Sequence, residues 1–187
     1  MKIKNLLVTT LASTMIFGLA SNSMASSYIG LKGGNNNLSF PEDQDIATNH
    51  TFGNLHAGYF VPIGENMLVG SQIGGTHYGK VKTDDDNVDF YSLNLFAVAE
   101  YIMDGFYIDG RFGGVIGLIN SNNCDIEHAF YVAAGAGFGY YLTQNLSGGF
   151  SYDHVFGKDY QATSITKQTT LELPEMDLFG VQLTYHF

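Results

Sequence analysis

The clearest indication of the fold is the stretch Phe179-Gly180-Val181-Gln182-Leu183-Thr184-Tyr185-His186-Phe187. Every second residue in it is large and apolar, and the residues between them are Gly, Gln, Thr and His. A period of two is the geometry of a β-strand, because successive side chains of a strand point to opposite faces. This strand therefore separates an apolar environment from a polar one.

The same alternation recurs along the chain in segments of about ten residues, the length at which a tilted strand crosses a bilayer. Polar connections between the segments alternate between long runs and short turns, which predicts an all-β, eight-stranded antiparallel up-and-down transmembrane barrel. We expect four long outer loops on one rim, and three short periplasmic turns and both termini on the other. The eight segments are Tyr28–Asn35, Phe52–Val61, Met67–Gly75, Asp89–Tyr101, Phe106–Gly117, Ala129–Tyr141, Leu146–Val155 and Phe179–Phe187. The long runs are Asn36–His50, Lys80–Asn87, Asn120–His128 and residues 157 to about 170, and the short turns lie at Pro62–Asn66, Asp104–Gly105 and Gln144–Asn145.

The first 25 residues have the features of a secretory signal peptide. Lys2 and Lys4 precede an apolar stretch, and Ser23-Met24-Ala25 places small residues where a signal peptidase cleaves. We expect residues 1–25 to be removed and residues 26–187 to form one barrel domain, since no linker interrupts the alternation.

Composition narrows the function classes. The chain has 187 residues, and without the first 25 it keeps six basic and 18 acidic residues, a formal net charge of −12. Nucleic acid is an unsuitable partner because binding phosphate requires clustered Lys and Arg. The single Cys124 excludes a disulfide framework and lies in a polar run. No cofactor motif is found.

Alternation alone does not separate a membrane barrel from a soluble barrel, whose apolar face would point inward. The positions of the glycines distinguish the two kinds of barrel, because glycine recurs on the polar face of the strands, as in Gly135, Gly137 and Gly139. On a solvated sheet so much glycine costs backbone entropy without a gain in packing. Inside a narrow barrel it makes room for larger side chains, so we expect the polar face to point inward.

Charged residues share that polar face. An isolated charge in a narrow interior is costly, so we expect acidic groups such as Glu100 and Asp109 to pair with basic ones and to fill the interior rather than line a pore. The predicted interior network comprises Lys32, Glu100, Asp109, Arg111 and Asp153.

On the apolar face, tyrosines lie at strand ends beside the short turns. Aromatic residues in these places form the interfacial girdle of a membrane barrel. The predicted girdle comprises Tyr59, Tyr101, Tyr140 and Tyr185.

Three pieces of the sequence carry a family resemblance: Tyr28-Ile29-Gly30-Leu31-Lys32-Gly33-Gly34, the glycine-rich sixth segment, and the ending Leu183-Thr184-Tyr185-His186-Phe187. In this order they resemble the small outer-membrane β-barrel family of Gram-negative bacteria, which includes the transmembrane domain of outer-membrane protein A, the OmpX and Ail surface proteins and the opacity-type antigens. The resemblance implies location in the bacterial outer membrane, with outer-membrane lipid and lipopolysaccharide as partners. It also implies that the barrel assembly machinery recognises the last strand through Phe179, Val181, Leu183, Tyr185 and Phe187.

Members of this family act as adhesins, host-contact factors or structural components, so we expect this chain to be a non-enzymatic surface protein of structural, adhesion or host-contact type whose outward loops carry any binding activity. Acidic residues in the loops could share bridging cations with lipopolysaccharide phosphates. Asp84-Asp85-Asp86-Asn87 lacks the glycine spacing and closing Glu of a calcium-binding EF-hand loop, so we expect a solvated loop there.

Three alternatives stay open. The first is a small-solute, porin-like channel, and the second is an enzyme that modifies lipid A. His154 is the nearest catalytic candidate for the latter, although no Ser follows it at the matching place. The third is a soluble periplasmic barrel.

Overall fold

The computed structural model describes residues 26–39, 49–83, 86–121, 124–157, 159–160, 171–172 and 175–187. The predicted signal peptide lies outside this part of the chain. No helix within the described ranges is long and apolar enough to span a membrane. The strands are β1 (Ser26–Ser39), β2 (Asn49–Pro62), β3 (Met67–Thr83), β4 (Asp86–Met103), β5 (Phe106–Ser121), β6 (Cys124–Tyr141), β7 (Leu146–Phe156), β8 (Asp159–Tyr160), β9 (Leu171–Glu172) and β10 (Glu175–His186).

Eight of these strands close into one antiparallel barrel in the order β1-β10-β7-β6-β5-β4-β3-β2. Each contains one of the predicted segments, apart from Phe187 just beyond the end of β10, so the eight-stranded antiparallel barrel is confirmed. The closing strand β10 pairs with β1 from Tyr28 opposite His186 to Ser39 opposite Glu175. Strands β8 and β9 pair only with each other, as a two-residue ladder in the connection from β7 to β10.

Short turns join β2 to β3, β4 to β5, and β6 to β7 at one rim of the barrel. Asp104 and Gly105 both have positive φ, at 52° and 85°. This is the requirement of a type I′ turn, whose twist matches that of the flanking strands. The first and last described residues, Ser26 and Phe187, lie at the same rim, since the Phe187 amide donates to the Ser27 carbonyl over 2.9 Å. We call this edge the short-turn rim.

Two of the predicted long loops require correction, because 80–87 and 120–128 are mostly strand. β3 and β4 stay paired out to Thr83 opposite Asp86, and β5 and β6 out to Ser121 opposite Cys124. Outside the membrane neither face of a β-hairpin needs to be apolar. The backbone hydrogen bonds between the strands therefore continue past the point where apolar and polar side chains stop alternating. Cys124 is therefore the first residue of β6, and Asp84 and Asp85 lie outside the described residues.

The wall has two chemically distinct faces. The outward side chains are large and apolar over most of the circumference, as in Leu95, Phe112, Phe138 and Phe150. The inward face combines charged and amide groups with a cluster of buried apolar and aromatic side chains. That cluster comprises Tyr28, Phe52, Phe60, Tyr78, Phe96, Val98, Val115, Tyr131, Ala133, Val155, Met176 and Leu178.

Candidate functional site

An ion network crosses the middle of the barrel interior. The carboxylate of Asp153 on β7 accepts from Lys32 Nζ on β1 at 2.5 Å and from Arg111 Nε on β5 at 2.7 Å. Arg111 Nη1 also lies 3.3 Å from Oδ1 of Asp109, and its Nη2 donates to the Ala136 carbonyl over 3.1 Å. All four charged side chains are buried. Charges desolvated in this way are stable only when they are paired.

Glu100, the fifth residue of the predicted network, lies in the interior with a different partner. Its Oε1 accepts a hydrogen bond from the Tyr141 hydroxyl at 2.7 Å, closer to the short-turn rim. Glu100 stands directly opposite Asp109 in the register of β4 and β5. The structure thus places all five predicted side chains inside the barrel and joins four of them by ion pairs.

Glycines on β6 make room for this network. A Cβ added at Gly135 would overlap Oδ1 of Asp153 and would lie 2.9 Å from Arg111 Nε, and one added at Gly137 would overlap the Asp109 carboxylate. The inward glycines of β6 therefore leave room for the charged side chains of the two neighbouring strands, β5 and β7. This is the spatial reason for the glycine periodicity in the sixth segment.

Little free space remains beside these charges. A cavity of about 20 Å³ lies against Glu100, Asp109 and Arg111, near Tyr28 and Gln182. That volume accommodates roughly one water molecule. The interior at this level is therefore packed with side chains.

Sequence analysis missed the apolar cluster in the interior. Phe52, Phe96, Tyr131 and Val155 lie on the same strand faces as the polar residues, and all are buried. The sequence does contain a signal for this cluster, because residues an even number of positions apart on a strand point to the same face. Phe96 shares a face with Ser92 and Asn94, and Val155 shares one with Asp153. An apolar residue on the polar face of a strand indicates packing inside the barrel.

The four predicted girdle tyrosines lie on the outer wall near the short-turn rim. Tyr59, Tyr101, Tyr140 and Tyr185 are all exposed, and the Tyr140 ring packs edge-on against Phe106 with 4.9 Å between centroids. Rings placed in a band at one end of an apolar wall can have one end in lipid and the other in water.

The five residues of the predicted assembly signal form one outward row along the closing strand. All five are exposed, from 47% at Tyr185 to 73% at Phe187, and the rings of these two residues pack edge-on with 5.2 Å between centroids. The intervening Thr184 and His186 are buried in the interior. The outward row comprises Phe179, Val181, Leu183, Tyr185 and Phe187.

His154 lies on the outer wall with a partner that sequence analysis did not find. Its Nδ1 is 2.8 Å from Oδ1 of Asp177 on the neighbouring strand, and the same oxygen accepts from the Tyr152 hydroxyl at 2.6 Å. The two strands are adjacent only after the chain has passed through the β7 to β10 connection, so sequence spacing does not show the pair. Among the described residues, no group of three or more His, Cys, Asp or Glu side chains is arranged to hold a metal ion.

The fold is that of the small bacterial outer-membrane β-barrels. The attachment invasion locus protein Ail of Yersinia pestis aligns over 88% of this chain and 99% of its own, with 16% identity and a TM-score of 0.59. Neisserial surface protein A aligns over 87% of this chain and 99% of its own, with 11% identity and a TM-score of 0.57. No family model and no curated protein sequence matches this chain.

These identities establish a likeness of fold, and the predicted resemblance to small outer-membrane barrels is confirmed at that level. The apolar outer wall is the surface that such a barrel presents to lipid. Fold and surface together support placement in a bacterial outer membrane.

Proposed function

We propose that this chain is a non-enzymatic surface protein of the outer membrane, of the structural, adhesion or host-contact type. The observation that carries the proposal is the height of one side of the barrel. Strands β3 to β6 have 16 to 18 residues, whereas a tilted strand needs about 9–11 to cross the bilayer. At about 3.3 Å per residue, these strands project roughly 20 Å along their own direction beyond the membrane.

A paired β-wall suits contact with a partner better than a flexible loop does, because its backbone is already ordered and binding costs less conformational entropy. Strands β1, β2, β7 and β10 are shorter, with 11 to 14 residues. Among the described residues the β3–β6 side therefore projects furthest, and it is the face that we assign to the partner.

The charge of the chain limits which partner this wall can bind. One solved structure of Ail contains the heparin analogue sucrose octasulfate. Without the first 25 residues the chain carries a formal net charge of −12, so a sulfated polyanion would be repelled. We propose instead a cationic protein surface, or lipopolysaccharide phosphates reached through bridging divalent cations.

Deletion of the projecting hairpins tests the proposal. Cells that express the chain without residues 80–87 and 120–128 should keep the folded barrel at normal levels and lose adhesion to host cells or matrix. Deletion of residues 161–170 in the β7 to β10 connection is the matched control and should retain adhesion. Equal adhesion of all three strains would refute the assignment to this wall.

The filled interior opposes the alternative of a small-solute channel. Lys32, Arg111 and Asp153 bridge the lumen between strands on opposite sides of the barrel. We expect no steady conductance from the wild-type chain in planar bilayers, and an increase in Arg111→Ala. Steady solute-sized conductance of the wild type would favour the channel.

One observation favours a second candidate, an enzyme that acts on outer-leaflet lipid. His154 oriented by Asp177 has the arrangement of a general base held by a carboxylate, and it lies on the outer wall. Mass spectrometry of lipid A from a deletion strain complemented with wild type or His154→Ala tests this candidate. A lipid A change that wild type restores and His154→Ala does not would overturn the non-enzymatic proposal.

A further inference from the structure

The outer wall contains a depression that crosses strands β10, β1, β2, β3 and β4. Its volume is about 1,050 Å³. Three outward glycines form its floor: Gly33 stands directly opposite Gly53, and Gly75 lies one row nearer the short-turn rim, between Leu55 and Leu93. A Cβ added at Gly53 would meet nothing within 4 Å. We call this depression the glycine groove.

The two sides of the glycine groove differ in polarity. The bank towards the short-turn rim is a continuous row of leucines, Leu183, Leu31 and Leu55, paired in that order across three strands. On the other side the next row of outward residues, just beyond the lining of the groove, holds the exposed polar residues Asn35 and Thr51, with the apolar Phe179 beside Asn35 on β10. Groups able to form hydrogen bonds therefore lie next to the groove at β1 and β2, on the side away from the leucines.

The ends of the groove are also defined. His77 pairs with Tyr91 on the next strand, and their rings lie 4.8 Å apart between centroids. Val181 lies at the other end, opposite Gly33. Gly33 is seven residues from Ser26 at the short-turn rim, and a spanning strand needs about 9–11 residues, so the groove lies in the half of the membrane away from that rim.

We propose that the glycine groove binds one acyl chain of an outer-leaflet glycolipid, with the polar end of the lipid against Asn35 and Thr51. The order from the leucines to Asn35 and Thr51 matches the order of an amphiphile, from apolar chain to hydrogen-bonding head. The outward groups of Asn35 and Thr51 are an amide and a hydroxyl, which suit sugar hydroxyls and ester carbonyls better than they suit an isolated phosphate.

A second copy of the chain fits the groove less well. A barrel wall is convex, so two walls would touch at the leucine bank and at Tyr91 and would leave the glycine floor empty. An acyl chain is narrow enough to contact the floor along its length. Each additional buried methylene contributes to lipid binding.

The inference rests on the proposed membrane placement, so the experiment reads folding and lipid retention separately. The full chain is reconstituted into vesicles of purified lipid A and phosphatidylcholine, extracted into mild detergent and examined by native mass spectrometry. Gly53→Leu fills the groove. Gly110→Leu is the matched control, because Gly110 also faces open space, on β5 and away from the groove. Heat-modifiable gel migration reports folding in every sample.

Wild type and Gly110→Leu should retain one lipid A per chain, and Gly53→Leu should fold normally and retain about tenfold less, the effect of losing contact with about two methylenes. Equal retention by all three folded proteins would overturn the inference. So would retention of phosphatidylcholine in place of lipid A, or a dimer mass that Gly53→Leu abolishes. Failure of wild type to fold in these vesicles would instead contradict the membrane placement.

Discussion

Asp153→Asn should destabilise the barrel far more than the same substitution at Asp177 on the adjacent strand. Both carboxylates accept two hydrogen bonds, but Asp153 binds Lys32 and Arg111 in the buried interior, whereas Asp177 binds Tyr152 and His154 on the outer wall. Asn keeps the size of the side chain and removes its charge. The comparison therefore contrasts a buried carboxylate held between two cations with a more exposed one held by a hydroxyl and an imidazole.

The magnitude follows from the charges that remain. After Asp153→Asn, the buried cations Lys32 and Arg111 have Asp109 as their only neighbouring carboxylate in the network described above. Removing one partner from a buried ion pair costs about 3–5 kcal/mol. An exposed pair contributes about 0–1 kcal/mol, so Asp177→Asn should change the free energy of unfolding by no more than that.

A double variant separates charge imbalance from loss of contacts. Lys32→Met with Asp153→Leu removes one charge of each sign and leaves Arg111 paired with Asp109. Apolar replacement of a whole buried pair is often nearly neutral, so this double variant should be more stable than Asp153→Asn alone.

Urea titration in detergent micelles measures these differences, with the folded fraction read from the migration of unheated samples on gels. The reasoning would be refuted if Asp153→Asn stayed within about 1 kcal/mol of wild type. It would also fail if the double variant were no more stable than the single one.

Further predictions concern packing, assembly and surface charge. Gly135→Ala should lower the urea midpoint because its Cβ would overlap the Asp153 carboxylate, whereas Gly53→Ala, which points into open space, should not; equal midpoints would contradict an inward glycine face. We propose that the outward row ending at Phe187 is read by the barrel assembly machinery, so Phe187→Ala should reduce the assembled barrel several-fold in cells while the purified variant still folds in detergent. Normal assembly of Phe187→Ala in cells would remove that role. Chelation of divalent cations should release co-purifying lipopolysaccharide from purified outer membranes; unchanged association would contradict the bridging-cation proposal.

The sequence predicted the parts of the fold that depend on side-chain period. Where a strand has lipid on one face and a narrow interior on the other, the period of two is strict, and the segment from Tyr91 to Tyr101 falls within the observed strand. Beyond the lipid this constraint disappears, which is why the sequence predicts loops where β3 to β6 in fact continue. Their ladder depends on backbone hydrogen bonds, which leave no period in the side chains.

The sequence predicts which charged residues lie in the interior of the barrel, but it does not predict which of them pair. Burial of Lys32, Arg111 and Asp153 follows from their parity, but their pairing depends on which strands face each other across the lumen. The contact of His154 with Asp177 depends in the same way on the register of β7 and β10. Parity assigns a residue to a face of the sheet, whereas closure of the barrel selects its partner.

The outward direction of the apolar face is the central claim, and membrane extraction combined with heat-modifiable migration tests it most directly. The account predicts that the chain stays in the membrane pellet after carbonate washing, and that unheated and boiled samples migrate at different positions on a detergent gel. Recovery in the detergent-free soluble fraction, with the same migration before and after boiling, would show that the apolar face does not lie against lipid.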